Sequence, residues 1–586
     1  MFDSNHGKSP IYQKSIPILR DTVYGSRRTS REIRREAAMD THPTEPNQAD
    51  PNHAVPAGAD RTEPRRRFDV ALCGAGPVGM TAAALLAARG LDVVVLERRL
   101  RTSDEPKAIS IDDEALRIYQ QAGLADTLLE LIVPGTGTRY YGADGRPLFD
   151  ARATVPFRLG FPFKNPFAQP DLERALAGAL AANPRVDLRF GTEVRALTQD
   201  ADTVTVSTTS GDVEASYLLG CDGGRSTVRE LLGGTMTGRS HPDVWLVVDA
   251  LGDHHVERFG MHHGDPERPH VIIPGLGGRC RYEFRLFEGE GEPTDTPPFD
   301  LIHRLVSRYR EITPDQVERA VNYRFHGLVA DDWQVGRCFL LGDAAHMMPP
   351  FAGQGLNSGI RDAGNLAWKL AEVFHGRLDP SVLATYQTER RPHAAAVVRS
   401  SEQLGRVVMT TSPALARRRD ARARSALATP AGREFLEEMR YRPAHHYRTG
   451  LVTGDGPDIG VPLGQPRVFD VRTHRTVLLD EVVGDGWALL AVDITDEDAV
   501  ASADGLAATF GTDVVLVTVN GTMPRTDRRV LVDVDGGLAR EFGSYRGRFV
   551  LLRPDHFVAA AWGPDQHDAV ADALPRWSAR TPAPTA

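Results

Sequence analysis

The chain has 586 residues, of which 41% are apolar, 25% charged and 7% aromatic; this is ordinary globular composition, with length for two or three domains. Lys and Arg number 69 against 78 Asp and Glu, a net charge of −9, which excludes a global positive field recruiting nucleic acid or an anionic membrane. Four cysteines, Cys73, Cys221, Cys280 and Cys338, have no C-x-x-C spacing, which excludes a disulfide scaffold and suits a reducing cytoplasm.

Residues 1–67 carry 12 Lys/Arg against 9 Asp/Glu. The stretch 41–67 is rich in Pro, Asp and Ala and nearly free of large apolar residues, so a disordered N-terminal extension is expected. It holds no unbroken apolar run of the secretory kind. Phe68–Cys73 then reads as a strand, Gly74–Gly76 as a tight turn, Pro77–Arg89 as a helix ended by Gly90, and Leu91–Glu97 as a second strand. These glycines divide the apolar run 70–90, which is therefore not a membrane span.

Gly74-Ala75-Gly76-Pro77-Val78-Gly79 fits G-x-G-x-x-G in the strand–turn–helix setting that a dinucleotide requires. The first glycine permits the turn, the second lets backbone approach a pyrophosphate, and the third lets helix and strand pack closely. Glu97, at the end of the second strand, is placed to accept from a ribose diol and would repel a 2′-phosphate, so FAD or NAD suits the site better than NADP. A second signal is the strand at Tyr217–Gly220 running into Asp222-Gly223-Gly224-Arg225 and a helix headed by Ser226, a pattern also common at structural corners. The third is an apolar strand, Arg337–Asp343, that ends in an acid. A loop with Pro349-Pro350 follows, and Gly353-Gln354-Gly355-Leu356-Asn357 opens a long helix, Ser358 to about His375. An aspartate at that strand end suits a ribityl hydroxyl. Bare N–H groups at the helix start suit the edge of an isoalloxazine ring, where reduced flavin carries negative charge. Nicotinamide needs no such anion hole.

In this order and spacing the three motifs resemble those of the single-component, para-hydroxybenzoate hydroxylase-like (group A) flavoprotein aromatic hydroxylases. Pro106–Arg117, Phe167-Ala168-Gln169-Pro170, Asp343–Met348 and Gly359–Ala363 are similar to segments of the 3-(3-hydroxyphenyl)propionate hydroxylase branch. The resemblance implies that Gly74, Gly76, Gly79 and Glu97, with Pro77 and Arg98 beside them, hold the ADP half of FAD. It places Gln169 near the ribityl or pyrophosphate region, Asp343 on the ribityl chain, and the amides of Gly353, Gln354, Gly355, Leu356 and Asn357 on the flavin pyrimidine. Asp222 and Arg225 fall in a motif shared between FAD and NAD(P)H. Lys107 stands where the family more often has arginine. The implied reaction uses NADH or NADPH and O2 to hydroxylate a small phenolic substrate through a flavin C4a-hydroperoxide. The absence of a second G-x-G-x-x-G agrees with a family that has no separate nicotinamide domain.

The implied fold is α/β: a Rossmann-like FAD-binding domain at 68–400, with a β-sheet substrate layer inserted at about 236–325. A helical connection follows at 401–455, then a thioredoxin-like C-terminal domain at 456–577 lacking C-x-x-C, and a tail at 578–586. Within the inserted layer Val244–Ala250, His270–Pro274 and Cys280–Phe287 read as strands and Phe299–Arg310 as a helix. Basic and hydroxylic residues cluster there. Arg281 or His262 is expected to clamp a substrate carboxylate, with Pro349 also at the pocket, against the alternative of a solvated sheet face. His346, Tyr282 and His270 are the candidates for the base that takes the phenol proton, although His346 could equally be a structural partner beside Asp343. The histidines lack ligand spacing, and no metal is expected. In the C-terminal domain Thr476–Asp480, Trp487–Asp493, Val514–Val519 and Phe549–Arg553 read as strands and Asp504–Phe510 as a helix, with a packing or homodimer role. A cytoplasmic enzyme of aromatic catabolism is expected. Three other readings stay open: a tailoring hydroxylase of a polycyclic aromatic polyketide, a flavin reductase that never activates oxygen, and a flavin-retaining interaction module without turnover.

Overall fold

In the computed structural model the described residues are 67–574, apart from 136, 153, 154, 455 and 522. The extension expected at 1–67 lies outside them except for Arg67, and so does the tail expected at 578–586. Five strands, Val186–Phe190, Val93–Glu97, Phe68–Cys73, Gly211–Gly220 and Cys338–Leu340, lie side by side in that order, each parallel to the next. Continuous Val, Leu and Ala runs form such strands because both faces of a parallel sheet are covered. Every residue of Val93–Glu97 is buried, and all but one of Phe68–Cys73. The helices Pro77–Ala88 and Gly355–Phe374 pack on each other. A Cβ on Gly359 would meet Val78 Cγ2 at 2.5 Å and Gly342 Cα at 3.0 Å, so only glycine permits this approach. Parallel strands open their carboxyl ends on one edge, where open α/β sheets bind ligands. Gly74, Glu97, Asp222 and Asp343 all leave or end strands on that edge.

A second sheet contains the segment expected to form the substrate layer. Its order is His346–Met347, Val317–Ala330, Met236–Ala250, Cys280–Arg285, His270–Pro274, Gly260–His263, Thr138–Tyr141, Pro147–Ala151. The layer is therefore larger than the inserted segment at 236–325, because it also recruits the hairpin 138–151. Alternation of side chains divides the sheet into two faces. Leu246, Val248, Met261, Ile272, Cys280, Tyr282 and Phe284 pack with the helix Phe299–Val306. Tyr140, Trp245, Val271 and Phe325 form the opposite face and pack with Phe351, Val408, Met409 and Met439.

The C-terminal domain is a seven-stranded sheet, ordered Arg475–Leu478, Arg467–Asp470, Val530–Asp533, Val514–Thr518, Ala488–Val492, Arg548–Leu552, Val558–Trp562. The first strand stops at Leu478 because Glu481 turns back to accept from the Leu478 N–H at 3.1 Å, opening the short helix Leu479–Val483. Buried ion pairs fasten this domain to the flavin domain. Arg553 grips Glu389 through both oxygens at 2.8 Å, and Lys369 donates to Glu389 at 2.7 Å. Arg117 meets Asp480 at 2.6 and 2.7 Å. No helix among the described residues is long and apolar enough to cross a membrane.

Candidate active site

The dinucleotide turn is built by close contact. Gly74 sits at φ +103°, and a Cβ on Gly79 would lie 2.0 Å from the Gly74 carbonyl oxygen. A Cβ on Gly76 would meet nothing within 4 Å, which leaves this backbone open to a ligand. Pro77 starts the helix where a missing N–H costs nothing. Glu97 is buried and accepts from the N–H groups of Ala75 and Arg99, both at 2.9 Å, while Arg98 is exposed. Asp222 Oδ2 accepts from the Val228 N–H at 3.0 Å, whereas its Oδ1 is buried without a partner. Burial raises this carboxyl, against the hydrogen bonds from Ser226 and Val228. Arg225 is exposed. Buried Arg229, which the motif reading passed over, donates to the carbonyls of Ala344 at 2.9 Å and Gly224 at 2.8 Å, tying the second motif to the third.

Asp343 is accessible to solvent but hemmed in by protein. Desolvation raises its carboxyl, with His346 and Lys107 pulling the other way. Lys107 is exposed and pairs loosely with Glu105 at 3.7 Å. Gln169 is buried: it accepts from the Ala108 N–H and donates to Glu173, each at 2.7 Å, and Glu173 accepts from the Ser103 N–H at 2.9 Å. It thus holds the 103–108 loop in place from behind.

Gly353 takes φ +63° just before the helix Gly355–Phe374. The N–H groups of Gly355, Leu356 and Asn357 stand at that helix start without intrahelical acceptors. The side chains of Gln354 and Asn357 point inward. Asn357 accepts from the Asp112 N–H at 3.0 Å and donates to Gly353 O at 2.8 Å, and Gln354 accepts from Arg361 at 3.0 Å. Arg361 also pairs with Asp112 at 2.5 Å and with Glu114. Arg361, Asp112 and Glu114 all lie in segments carrying the family resemblance, but no spacing rule marks them as a brace. The orphaned Asp222 oxygen, the open backbone at Gly76 and the free amides at the helix start are what an FAD pyrophosphate and pyrimidine need, and the residues present fit that cofactor.

The substrate sheet corrects several expectations. Its cofactor-side face is the one carrying Trp245, because Trp245 and Phe325 pack edge-on against Phe351 of the flavin loop, at 5.5 and 5.4 Å between centroids. Tyr282 and His270 alternate onto the other face and cannot serve as the phenol base. Tyr282 donates to Asp253 at 2.7 Å, and His270 stacks between His263 and Phe284 with its Nε2 against the Tyr309 hydroxyl. Burial raises the Tyr282 hydroxyl and pushes His270 down to about 4. His346 is fully buried, 2.7 Å from Asp362 and beside the Trp333 ring, so it is a structural residue paired with Asp362 rather than with Asp343. Arg281 does lie on the cofactor side, but its donors are spent. It pairs with Asp249 at 2.6 and 3.0 Å and donates to the carbonyls of Pro106 and Lys107, holding a loop instead of a substrate acid. His262 lies on this face as well, buried against Tyr140 at 5.0 Å. Pro349 is buried ahead of the turn Pro350–Ala352.

Glu283, which no motif marks, is the buried carboxyl in the same cofactor-side row. Desolvation raises it; Arg281, 3.8 Å away, opposes and Asp249 adds to the rise. Among the described residues Asp253, His255 and Cys280 bring potential ligand atoms within 4.8 Å of one another. Asp253 is already engaged by His255 at 2.6 Å and Arg310 at 3.1 Å, so the group is neutralised internally.

Fold and site together define a flavoenzyme whose single sheet edge gathers all three cofactor motifs. Residues 67–401 match the FAD binding domain family, and residues 460–576 match the HcaD C-terminal domain. The 3-(3-hydroxy-phenyl)propionate/3-hydroxycinnamic acid hydroxylase 2 of Burkholderia vietnamiensis (strain G4 / LMG 22486) is 37% identical over 529 residues, 87% of this chain and 95% of its own. The 3-(3-hydroxy-phenyl)propionate/3-hydroxycinnamic acid hydroxylase of Mycobacterium sp. (strain KMS) is 38% identical, covering 84% of this chain and 88% of its own. Among solved structures, OxyS anhydrotetracycline hydroxylase from Streptomyces rimosus aligns with TM-score 0.69 at 26% identity, over 88% of this chain and 100% of its own. Aklavinone-11 hydroxylase with FAD and aklavinone aligns with TM-score 0.70 at 24% identity, over 88% and 99%, a likeness of fold. The chain belongs to the FAD binding domain family and is an FAD-dependent aromatic monooxygenase.

Proposed function

We propose that the protein hydroxylates a phenol carrying a short carboxylate chain, of the 3-(3-hydroxyphenyl)propionate or 3-hydroxycinnamate kind, with NADH or NADPH and O2 as co-substrates. The relatives at 37–38% identity bear that substrate in their names. The observation that carries the reading is the cofactor-side face itself, where an aromatic wall of Trp245, Phe325 and Phe351 adjoins the buried acid Glu283. When bound, FAD supplies the hydride acceptor and the oxygen-activating chemistry.

The chain's own residues do the rest. The amides of Gly355, Leu356 and Asn357 favour negative charge on the flavin pyrimidine through the positive end of their helix. Arg361 braces that turn from behind, through Gln354 and Asp112. Gln169 and Arg281 both hold the loop 103–108, at the Ala108 N–H and the Lys107 carbonyl, which keeps it fixed. Glu283 accepts the phenol proton, which enriches the ring for attack. A carboxyl raised by burial is better matched to that proton than an ordinary one. The C-terminal domain reads as a thioredoxin-like packing unit. Its parallel pair Ala488–Val492 and Val514–Thr518 beside the antiparallel pair Arg548–Leu552 and Val558–Trp562 supports this, and it has no cysteine for dithiol chemistry.

FAD-loaded protein mixed with 3-(3-hydroxyphenyl)propionate should oxidise NADH or NADPH faster than without it and release a product heavier by one oxygen. Substrate-stimulated oxidation that yields only hydrogen peroxide with every phenolic acid would overturn the reading.

A further inference from the structure

The cofactor-side face holds a group of basic side chains that the flavin motifs leave unused. His262 is buried and, among the described residues, makes no hydrogen bond; its only close ring partner on this face is Tyr140. Lys164, in the segment just before Asn165–Pro166, which pairs with Ser110–Ile111 next to the flavin loop, lies near enough to His262 to act on its charge. It too has no hydrogen bond or ion pair among the described residues, and its backbone is held at φ +56°, a conformation a lysine rarely adopts. Arg442 completes the group, its guanidinium lying over the Phe163 ring at 5.1 Å. Arg442 pairs with Asp112 at 3.5 Å, which Arg361 also holds at 2.5 Å, and it acts on the buried Asp113 as well.

Basic groups brought together in a desolvated site with no acid of their own resist protonation, because their charges would repel one another and lose water. The consequence is visible in Lys164 and His262. Burial and Arg442 push Lys164 down to about 7, and burial, Lys164 and His263 push His262 well below the usual histidine range. A carboxylate arriving here would favour the protonated forms of Lys164 and His262.

The register shows where that anion would sit relative to the reacting ring. Tyr140, His262, Val271, Glu283 and Val247 form one row across five strands. His262 and Glu283 are two strand spacings apart, ~10 Å. A phenol hydroxyl and a carboxylate separated by an aryl ring and two methylenes span a comparable length. We propose that Lys164, with His262 and Arg442, forms the subsite for the carboxylate of an aryl-alkanoate substrate whose phenol end reaches Glu283. This rests on the phenol-hydroxylase reading and adds what selects the acid.

The test compares 3-(3-hydroxyphenyl)propionate with its uncharged primary amide, titrated into FAD-loaded wild-type protein, Lys164→Met, Lys164→Arg and His262→Asn. Dissociation constants are read from the flavin absorbance change, and bound FAD per chain checks that each variant is folded. The wild type should bind the acid at least tenfold more tightly than the amide. Lys164→Met should bring that ratio towards one, Lys164→Arg should restore most of it, and His262→Asn should lower it less. A ratio near one in the wild type, or an unchanged ratio in Lys164→Met, would overturn the subsite. Should Lys164→Met fail to hold FAD, an unchanged ratio in His262→Asn overturns it instead. Product analysis on the same samples separates the two ideas, because a Lys164-dependent acid preference without ring hydroxylation would leave the subsite standing and remove the hydroxylase reading.

Discussion

The two faces of the substrate sheet differ in how their buried polar groups are satisfied. On the face under the helix Phe299–Val306, Tyr282 has Asp253, Asp253 has His255 and Arg310, and His270 has Tyr309. On the cofactor side Glu283 has only a 3.8 Å contact with Arg281, and His262 and Lys164 have no polar partner among the described residues. Buried polar groups are normally paired; His263 Nε2 is an orphan on the helix-covered face, but the unpaired acid and basic groups gather on the cofactor side, where a ligand would complete them. Alternation along Cys280–Arg285 places Tyr282 and Glu283 on opposite sides of that distinction although they are neighbours in sequence.

If pairing separates stability from function, a fully paired buried network should matter to folding. Glu389→Ala should cost ~3–5 kcal/mol of stability, because it leaves buried Lys369 without an acid and Arg553 with Asp555 alone; thermal or urea melts measure it. Glu283→Gln should lower turnover about 10²-fold, the lower range for removing a general base, while its melting temperature stays near that of the wild type. The acid limb of the wild-type rate profile should vanish in this variant, since Glu283 must be ionised to accept a proton and its carboxyl titrates above the ordinary range. Loss of stability without loss of turnover in Glu283→Gln would erase the contrast between the faces.

Smaller effects sharpen it. Tyr282→Phe should lose about 1 kcal/mol of stability, the size of one hydrogen bond, with turnover little changed; a large fall in turnover would return Tyr282 to the chemistry. The pH dependence of stability has a definite sign. Against the desolvation that would raise it, Arg553 and Lys369 hold Glu389 down at about 2. Its contribution is therefore complete above the usual glutamate range and is lost as pH falls towards 2. The stability gap between wild type and Glu389→Gln should narrow on acidification, read as converging melting temperatures between pH 7 and pH 3.

The cofactor half of the site was legible in the chain because each of its parts is local. A turn, a helix start and an acid at a strand end occupy a few consecutive residues, and glycine is required wherever backbone approaches backbone, as at Gly79 and Gly359. The helix start at Pro77 followed from the same signals, whereas the helix expected from Ser358 begins about one turn earlier, at Gly355. The substrate half was not legible in this way. His270, Tyr282 and Arg281 have the right chemistry, but which face of a strand is inward depends on what packs on it from elsewhere in the chain. The hairpin 138–151 joins the sheet from far upstream of Val244–Ala250, and nothing in its composition announces that partner.

Sequence by itself determined the flavin-binding turn chemistry, the order of the motifs and the family, since these depend on short-range backbone geometry and its few permitted residues. The tertiary structure alone decided which charges are spent on holding loops and which remain open. Arg281 and Lys164 are alike as isolated cations. One is consumed by Asp249 and two carbonyls and the other meets no acid among the described residues, because long-range packing brings the neighbours that set the energy of a buried charge.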